Sequence, residues 1–492
     1  MKKLLLITAF LLSGGGLYAQ DDRALRQSRV NTDAAAAHIW FLAADELRGR
    51  ETGSPEIDIA AAYIAAQYRR YGVQPFNGSY YQNVALERVG PAEKGSFAVN
   101  GQVFEQGKAL LVMQAVNLSA QTGVVFVGYG LPEDMDKKEI AGKIVVARAG
   151  YAPDDTPQQM FRARREKNKN ARVRGAVALV ELYASQTLPW KTLVGYLSGS
   201  RLGLASEAAD EIKLGHIWLA DPGGKLALKF STAKKLTGTI ALAERQRAPL
   251  PARNVIGVVE GSDPQLKDEY ILLSAHYDHI GVKHNTHGED SIYNGARDNA
   301  IGVAAILAAA ESLQNLPVKR SVLFLACTGE EKGLLGSKWY AENPPVPLHK
   351  IVYNLNIDGG GYNDVTKVSV MGLTRTTAEK EIREAIRAFG LEPLADPAPE
   401  ENLFDRSDNV SFAARGIPAP TFSTGFTAFD EEILKYYHQV TDEAASLDFA
   451  YLAQYFKAYA YVVRSIANRK ETPFWVPGDK YEAAGKKLYG RE

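Results

Sequence analysis

From Asn254 to Asn468 the chain alternates short, continuously apolar runs with longer stretches of helical periodicity. The runs "YILLSAH" (270–276), "RSVLFLAC" (320–327), "IVYNLNID" (351–358) and "PAPTFST" (418–424) read as strands. The stretches "AIGVAAILAAAESLQNL" (300–316), "TAEKEIREAIRAFG" (377–390) and "SLDFAYLAQYFKAYAYVVRSIAN" (446–468) read as helices. A strand that is apolar at every position must be covered on both faces. With helices as connectors, this predicts an α/β fold, a mostly parallel mixed sheet with helices on both faces. In such sheets ligands bind beyond the carboxyl ends of the strands.

Those carboxyl ends carry the chemistry. The strand 270–276 runs into "HYDHIG", with His276 and Asp278 at its rim, and Asp298 in "NGARDNAIG" precedes the next helix. The strand 320–327 delivers Glu330 and Glu331, the strand 351–358 ends at Asp358, and "YYHQVTDE" presents His438. Singly, each has an ordinary explanation: a core histidine, a helix cap contributing ~1 kcal/mol, a turn residue, an exposed loop. Together on one sheet edge they point to metal ligation. Two neutral imidazoles and three carboxylates (Asp298, Glu331, Asp358) carry a formal charge of −3, which two divalent ions and a shared hydroxide would balance. One ion would leave buried carboxylates uncompensated. Mixed imidazole and carboxylate donors suit zinc, ahead of manganese or cobalt. Asp278, two residues beyond His276, is placed to hydrogen-bond an imidazole. The adjacent glutamates then divide the work, Glu331 binding metal and Glu330 staying free as general base.

At 492 residues the chain exceeds one ordinary core. Residues 33–71 are helical in pattern, whereas 96–248 change to short β-like runs such as "GVVFVGYG" and "GKIVVARAG". This predicts a β-rich insertion at 96–248 between an N-terminal segment (20–95) and the main catalytic part (249–470), with 471–492 as a tail. The basic stretch "RARREKNKNARVR" (162–174) is expected to be a solvated helix leading into "GAVALVEL". Net charge is zero, so no general attraction to nucleic acid or an anionic membrane is implied. The order Lys2-Lys3, apolar 4–12, small residues to Ala19 reads as a signal peptide (1–19), predicting an exported, periplasmic or extracellular protein. Gln20, at the cleavage point, is not the cysteine a lipid anchor requires, and no later run is long enough for stable membrane insertion. Cys327 is the sole cysteine; it rules out an intramolecular disulfide and reads as a buried, inert thiol.

The ordered set "HYDHIG", "NGARDNAIGVA", "TGEEKGLLGS", "NLNIDGGG", "RSDNVSF" and "YYHQVTDE" resembles metallopeptidase family 28, the co-catalytic zinc aminopeptidases and glutamate-carboxypeptidase-like enzymes. "DELRGRETGSPE" and "YIAAQYRRYGVQPFNGSYYQNV" resemble its N-terminal segment. The resemblance implies that His276 and Asp358 hold one zinc ion and Glu331 and His438 a second. Asp298 would bridge them, followed by a cis peptide to Asn299. Glu330 would be the acid/base and Tyr437 would stabilise an oxyanion. The inserted module resembles a protease-associated domain, which would restrict access to the cleft. Arg297 stands where an acidic residue is common, Ile301 replaces a small serine, and Asn409 a frequent histidine. What the resemblance implies is an exported exopeptidase acting on peptides, first as an aminopeptidase. A carboxypeptidase, a glutaminyl-cyclase-like transferase and an inactive receptor-type protein are the alternatives on the same fold.

Overall fold

The computed structural model describes residues 29–185, 187–205, 213–283, 290–314 and 316–491; the leader expected at 1–19 lies outside them. The chain divides into two compact units, Met1–Leu86 with Leu250–Glu492, and Glu87–Pro249. The boundaries fall inside the continuous strands Tyr81–Val89 and Arg247–Val259, so no linker composition marks them.

In the first unit, helix α1 (Thr32–Leu42) starts where the Asn31 side chain accepts hydrogen bonds from the Asp33 and Ala34 amides. Helix α2 (Pro55–Arg70) is capped by Ser54 and opens on proline, whose missing N–H has no helical partner to lose. Its Ile57, Ala60, Ala61, Ile64 and Tyr68 are buried at helical spacing. Then follow β1 (Arg247–Val259), β2 (Tyr270–His276), α3 (Ile301–Leu313), β3 (Ser321–Cys327), α4 (Leu335–Glu342), β4 (Ile351–Ile357), β5 (Lys367–Met371), α5 (Glu379–Arg387), β6 (Glu392–Ala395), β7 (Thr421–Ser423) and α6 (Phe449–Asn468). In the sheet these strands lie in the order β6-β5-β7-β4-β2-β3-β1. Strand β2 pairs parallel with both β3 and β4, and β4 parallel with β7, so all four end at one edge. The pairs β1–β3 and β5–β7 are antiparallel.

Alternate residues of one strand enter different cores. Ile271, Leu273 and Ala275 join Val322, Phe324 and Ala326 in one cluster, while Leu272 joins Leu323, Leu325 and Cys327 in another. Each buried Leu, Ile or Phe contributes ~1.5–3 kcal/mol, which is why strands of this kind stay in the sheet interior. Cys327 is free and fully buried, and burial pushes its thiol well above the ordinary range. Strand β7 is shorter than the sequence pattern because Pro418 and Pro420 have no N–H for the ladder. Their carbonyls still accept from Asn354 and Asn356. A buried polar chain, Asn354 Nδ2 to Ser274 Oγ to Asn356 Oδ1, ties β2 to β4 just below the site.

The second unit carries its own sheet, in the order Gln102–Glu105, Gly95–Val99, Leu236–Leu242, Leu118–Phe126, Ile144–Arg148, Ala178–Tyr183, Gly215–Ala220, Leu110–Gln114. Its central strands are parallel. The basic stretch is helical, in Pro157–Val173 with Arg174 as its C-cap, and the helix is capped at its start by Thr156 and Gln159. One of its cations is not solvated: Lys167 is buried, with Nζ 2.6 Å from Glu181 Oε1. Glu181 Oε2 meets His216 Nε2 at 2.8 Å and accepts from Trp218 Nε1 at 2.7 Å. Burial alone would raise the Glu181 carboxyl, but Lys167 and His216 outweigh it and hold it down at about 2. A depressed carboxyl adds stability above its unfolded pKa, lost as pH falls through the folded value. Lys167→Met strands the carboxylate and should cost about 3–5 kcal/mol at neutral pH. The deficit should shrink as pH falls towards 2, because the stranded carboxylate of the variant protonates at a higher pH than the paired one. Urea unfolding followed by tryptophan fluorescence checks this, and an unchanged midpoint at pH 7 would refute it.

Candidate metal centre

Strand β2 hands the chain to the site at His276, and the next residues are pinned from several sides. The Tyr277 amide donates to the Cys327 carbonyl and the His279 amide to the Arg50 carbonyl. The Arg50 guanidinium, 1% exposed, donates to the carbonyls of Tyr277, Asn294, Gly295 and Leu42. Arg50 therefore clamps the His276–His279 segment to the segment that leads into Asp298. It also places a positive charge among Asp278, Asp442, Asp298 and Glu331, which partly offsets the burial that lowers its pKa to about 10.

The Asp298–Asn299 peptide is cis. Asn299 Nδ2 donates to the Ile357 carbonyl, its Oδ1 accepts from the Gly302 amide, and the Asp298 amide donates to Asp442. After β3, the Glu330 amide donates to Asp278 Oδ1 at 3.1 Å, while Thr52 Oγ1 donates to Oδ2 at 2.9 Å. After β4, the Asp358 amide donates to the Phe422 carbonyl. Gly360 leaves room for Tyr437, because a Cβ there would stand 2.2 Å from the tyrosine ring. That ring stacks on His438, 4.2 Å between centroids.

These supports bring the side chains into two groups joined by one carboxylate. His276 Nε2 lies 3.1 Å from Asp298 Oδ1 and 3.2 Å from Asp358 Oδ1. His438 Nε2 lies 3.2 Å from Asp298 Oδ2 and 3.4 Å from Glu331 Oε2. His279 Nδ1 lies 2.8 Å from Glu331 Oε1 and 4.0 Å from Asp298 Oδ2. The donor atoms of His276, Asp298 and Asp358 converge within 4.8 Å of one another, as do those of His279, Asp298 and Glu331.

The field in this pocket calls for positive charge. Burial lowers the His438 imidazole, yet hydrogen bonds to Asp298 and Glu331 lift it to about 10. Burial likewise opposes the His276 charge, but Asp358, Glu330 and Asp298 carry it well above the usual value. Glu331 is pushed up by burial and by Asp298, and the imidazoles of His279 and His438 bring it down to about 2. Carboxylates and imidazoles packed this way, with His279 Nδ1 and Glu331 Oε1 buried and without a hydrogen-bond partner among the described residues, fit bound divalent metal. Glu330 stands outside both groups. Burial first, then Asp358, Asp408 and Glu331, hold its carboxyl well above the carboxylate range against the pull of His276.

All five residues singled out as ligands, His276, Asp298, Glu331, Asp358 and His438, meet here, with Glu330 and Tyr437 beside them. Asp278 differs from expectation. The His276 Nδ1 contact is with its backbone carbonyl at 3.1 Å, and its carboxylate, 3.9 Å away, instead orients the Glu330 amide. The sequence reading passed over His279 and Arg50, although both sit inside quoted motifs, "HYDHIG" and "DELRGRETGSPE". Arg297 has a structural reason: its N–H groups meet Asp442, and its guanidinium lies 3.6 Å from the centroid of the Tyr436 ring.

Residues 254–463 match the family model described as Peptidase family M28. That stretch is an M28 peptidase segment. Relatives of the chain include the probable lipoprotein aminopeptidase LpqL of Mycobacterium tuberculosis, 25% identical over 92% of this chain and 88% of the relative. Aminopeptidase YwaD of Bacillus subtilis is 25% identical over 45% of this chain and 47% of the relative. Among solved structures, an aminopeptidase from Aneurinibacillus sp. strain AM-1 shares the fold, with a TM-score of 0.57 at 21% identity, covering 92% of this chain and 98% of that one.

Proposed function

We propose that this M28 peptidase is an exported aminopeptidase that works with two zinc ions. The observation that carries the reading is the pair of donor groups sharing Asp298, with Glu330 adjacent and in neither. His276 and Asp358 would hold one ion, Glu331 and His438 the other, and Asp298 one oxygen to each. Bound zinc supplies Lewis acidity, making water easier to deprotonate and a carbonyl easier to attack.

The chain's own groups do the rest. Glu330 accepts the proton of the attacking water and returns it to the leaving amine, a role open to a carboxylate that stands outside both donor groups. Asp278 fixes the Glu330 backbone through the amide hydrogen bond. The Tyr437 hydroxyl, kept protonated by burial and neighbouring carboxylates, donates to the developing oxyanion. No helix among the described residues is long and apolar enough to cross a membrane.

Purified protein should release the first residue of peptides with a free N-terminus, lose activity to a chelator and regain it with zinc. Its mature N-terminus, sequenced from exported material, should lie at or near Gln20. Acetylating the peptide amine should remove most activity, since the amine is what an exopeptidase site of this polarity engages. Faster cleavage of acetylated peptides would favour a carboxypeptidase, and cyclisation of N-terminal glutamine without hydrolysis a transferase.

A further inference from the structure

The further site concerns His279, and it rests on the two-metal reading above. His279 is fully buried, and neither ring nitrogen has a hydrogen-bond partner among the described residues. Buried histidines elsewhere in this protein are paired. His38 has Tyr63 Oη at 2.8 Å and Tyr71 Oη at 3.0 Å on its two nitrogens, and His216 meets Glu181. Leaving a buried polar group unpaired costs ~1–3 kcal/mol, so an orphaned imidazole in the middle of a carboxylate cluster calls for a partner.

The nearest polar atom identifies that partner by failing to be it. Glu331 Oε1 lies only 2.8 Å from His279 Nδ1, yet the two are not in hydrogen-bond geometry and Oε1 is itself orphaned. Donor atoms ~2.0–2.2 Å from a common zinc ion stand about 3–3.5 Å apart and both face the ion, not each other. The second oxygen of Glu331 faces His438 at 3.4 Å, and the His279 and His438 rings approach edge to face, 5.7 Å between centroids. The imidazole is held in place from behind. Its amide donates to the Arg50 carbonyl, and a Cβ on Gly295 would lie 2.6 Å from the ring, so the wall is built to fit it.

We infer that His279 is a sixth protein ligand, binding through Nδ1 the ion that Glu331 and His438 hold. That position then carries two imidazoles, whereas the Asp358 position carries one. The positions are unequal, and the Glu331 position fills first.

The test uses the full-length protein stripped of metal and titrated with cobalt(II). A histidine ligand bound through one nitrogen keeps an exchangeable N–H on the other, shifted by the paramagnetic ion and countable by proton NMR. Saturated wild type should show three such resonances, and His279→Phe, which keeps a ring but no nitrogen, should show two. Zinc affinity at the tighter position should fall by at least ~10–100-fold in His279→Phe, judged against the loss that follows when even a supporting partner is removed. The metal-free variant should melt with the wild type; if it does not fold, the wild-type resonance count decides alone. Two resonances from wild type loaded with two ions, or an unchanged tighter affinity in a folded variant, would overturn the role of His279 and leave the two-metal reading standing. Failure of wild type to bind two ions would overturn both.

Discussion

Glu330→Gln should retain close to two zinc ions per chain while turnover falls by ~10²–10⁴, the usual contribution of a positioned general base. Glutamine keeps the size of the side chain and the amide contact to Asp278 Oδ1, so the loop after β3 should not move. What it loses is the ability to accept a proton from water at neutral pH and return it to the leaving amine. Glu330 stands outside both donor groups, which leaves its carboxyl free for that exchange. Glu331→Gln, one residue on, should behave differently. It removes a charge that faces both His438 and His279, so zinc content itself should drop. Atomic absorption on dialysed protein separates the two. Equal zinc loss in both variants, or near-normal turnover in Glu330→Gln, would show the pair to be assigned wrongly.

The asymmetry between neighbours also shows what could be read from the sequence. The pattern "GEE" lies beyond the end of β3 and is weak alone; it gains meaning only from His276, Asp298, Asp358 and His438 at the neighbouring strand ends. The sheet was legible for the same kind of reason: β2, β3 and β4 are apolar at nearly every position, and that burial requirement admits few architectures. The short strand β7 was overestimated because its prolines supply carbonyls without amides, a distinction that hydrophobicity does not register. Expected at 96–248, the second unit runs Glu87–Pro249; its N-terminal limit falls inside an extended strand, where no linker composition marks it.

The gathering of the candidate ligands at one sheet edge was legible, but its supports were not. His276, Asp298, Glu331, Asp358 and His438 sit just past strand or helix ends, where the parallel topology gathers whatever the sequence puts there. Arg50 escaped because three of its four carbonyl partners, Tyr277, Asn294 and Gly295, lie more than two hundred residues away. Nothing in the composition of "RGRE" distinguishes a buried clamp from a surface arginine. His279 was hidden behind His276: three residues apart in a turning chain, the two imidazoles separate to opposite sides of Asp298, Nε2 of one towards Oδ1 and Nδ1 of the other nearer Oδ2.

Asp298→Asn should be the more damaging change at this centre. The two oxygens of Asp298 face different histidines, Oδ1 towards His276 at 3.1 Å and Oδ2 towards His438 at 3.2 Å. An amide offers one oxygen and an NH₂ group that cannot ligate, so one position loses a donor and both lose the shared negative charge. Zinc content should fall to one ion per chain or fewer, and turnover should drop beyond the ~10²–10⁴ expected for losing the base alone, because Glu330 then has no activated water to work on. The metal-free protein offers an independent reading. Hydrogen bonding to Asp298 is a main reason that His438 titrates up at about 10, so its imidazole should shift back towards the ordinary histidine range in the variant. Proton NMR of the histidine ring resonances against pH, on apoprotein of both forms, measures this directly. A variant that keeps two zinc ions, or an apoprotein whose His438 titration is unmoved, would mean that Asp298 does not join the two halves of the site.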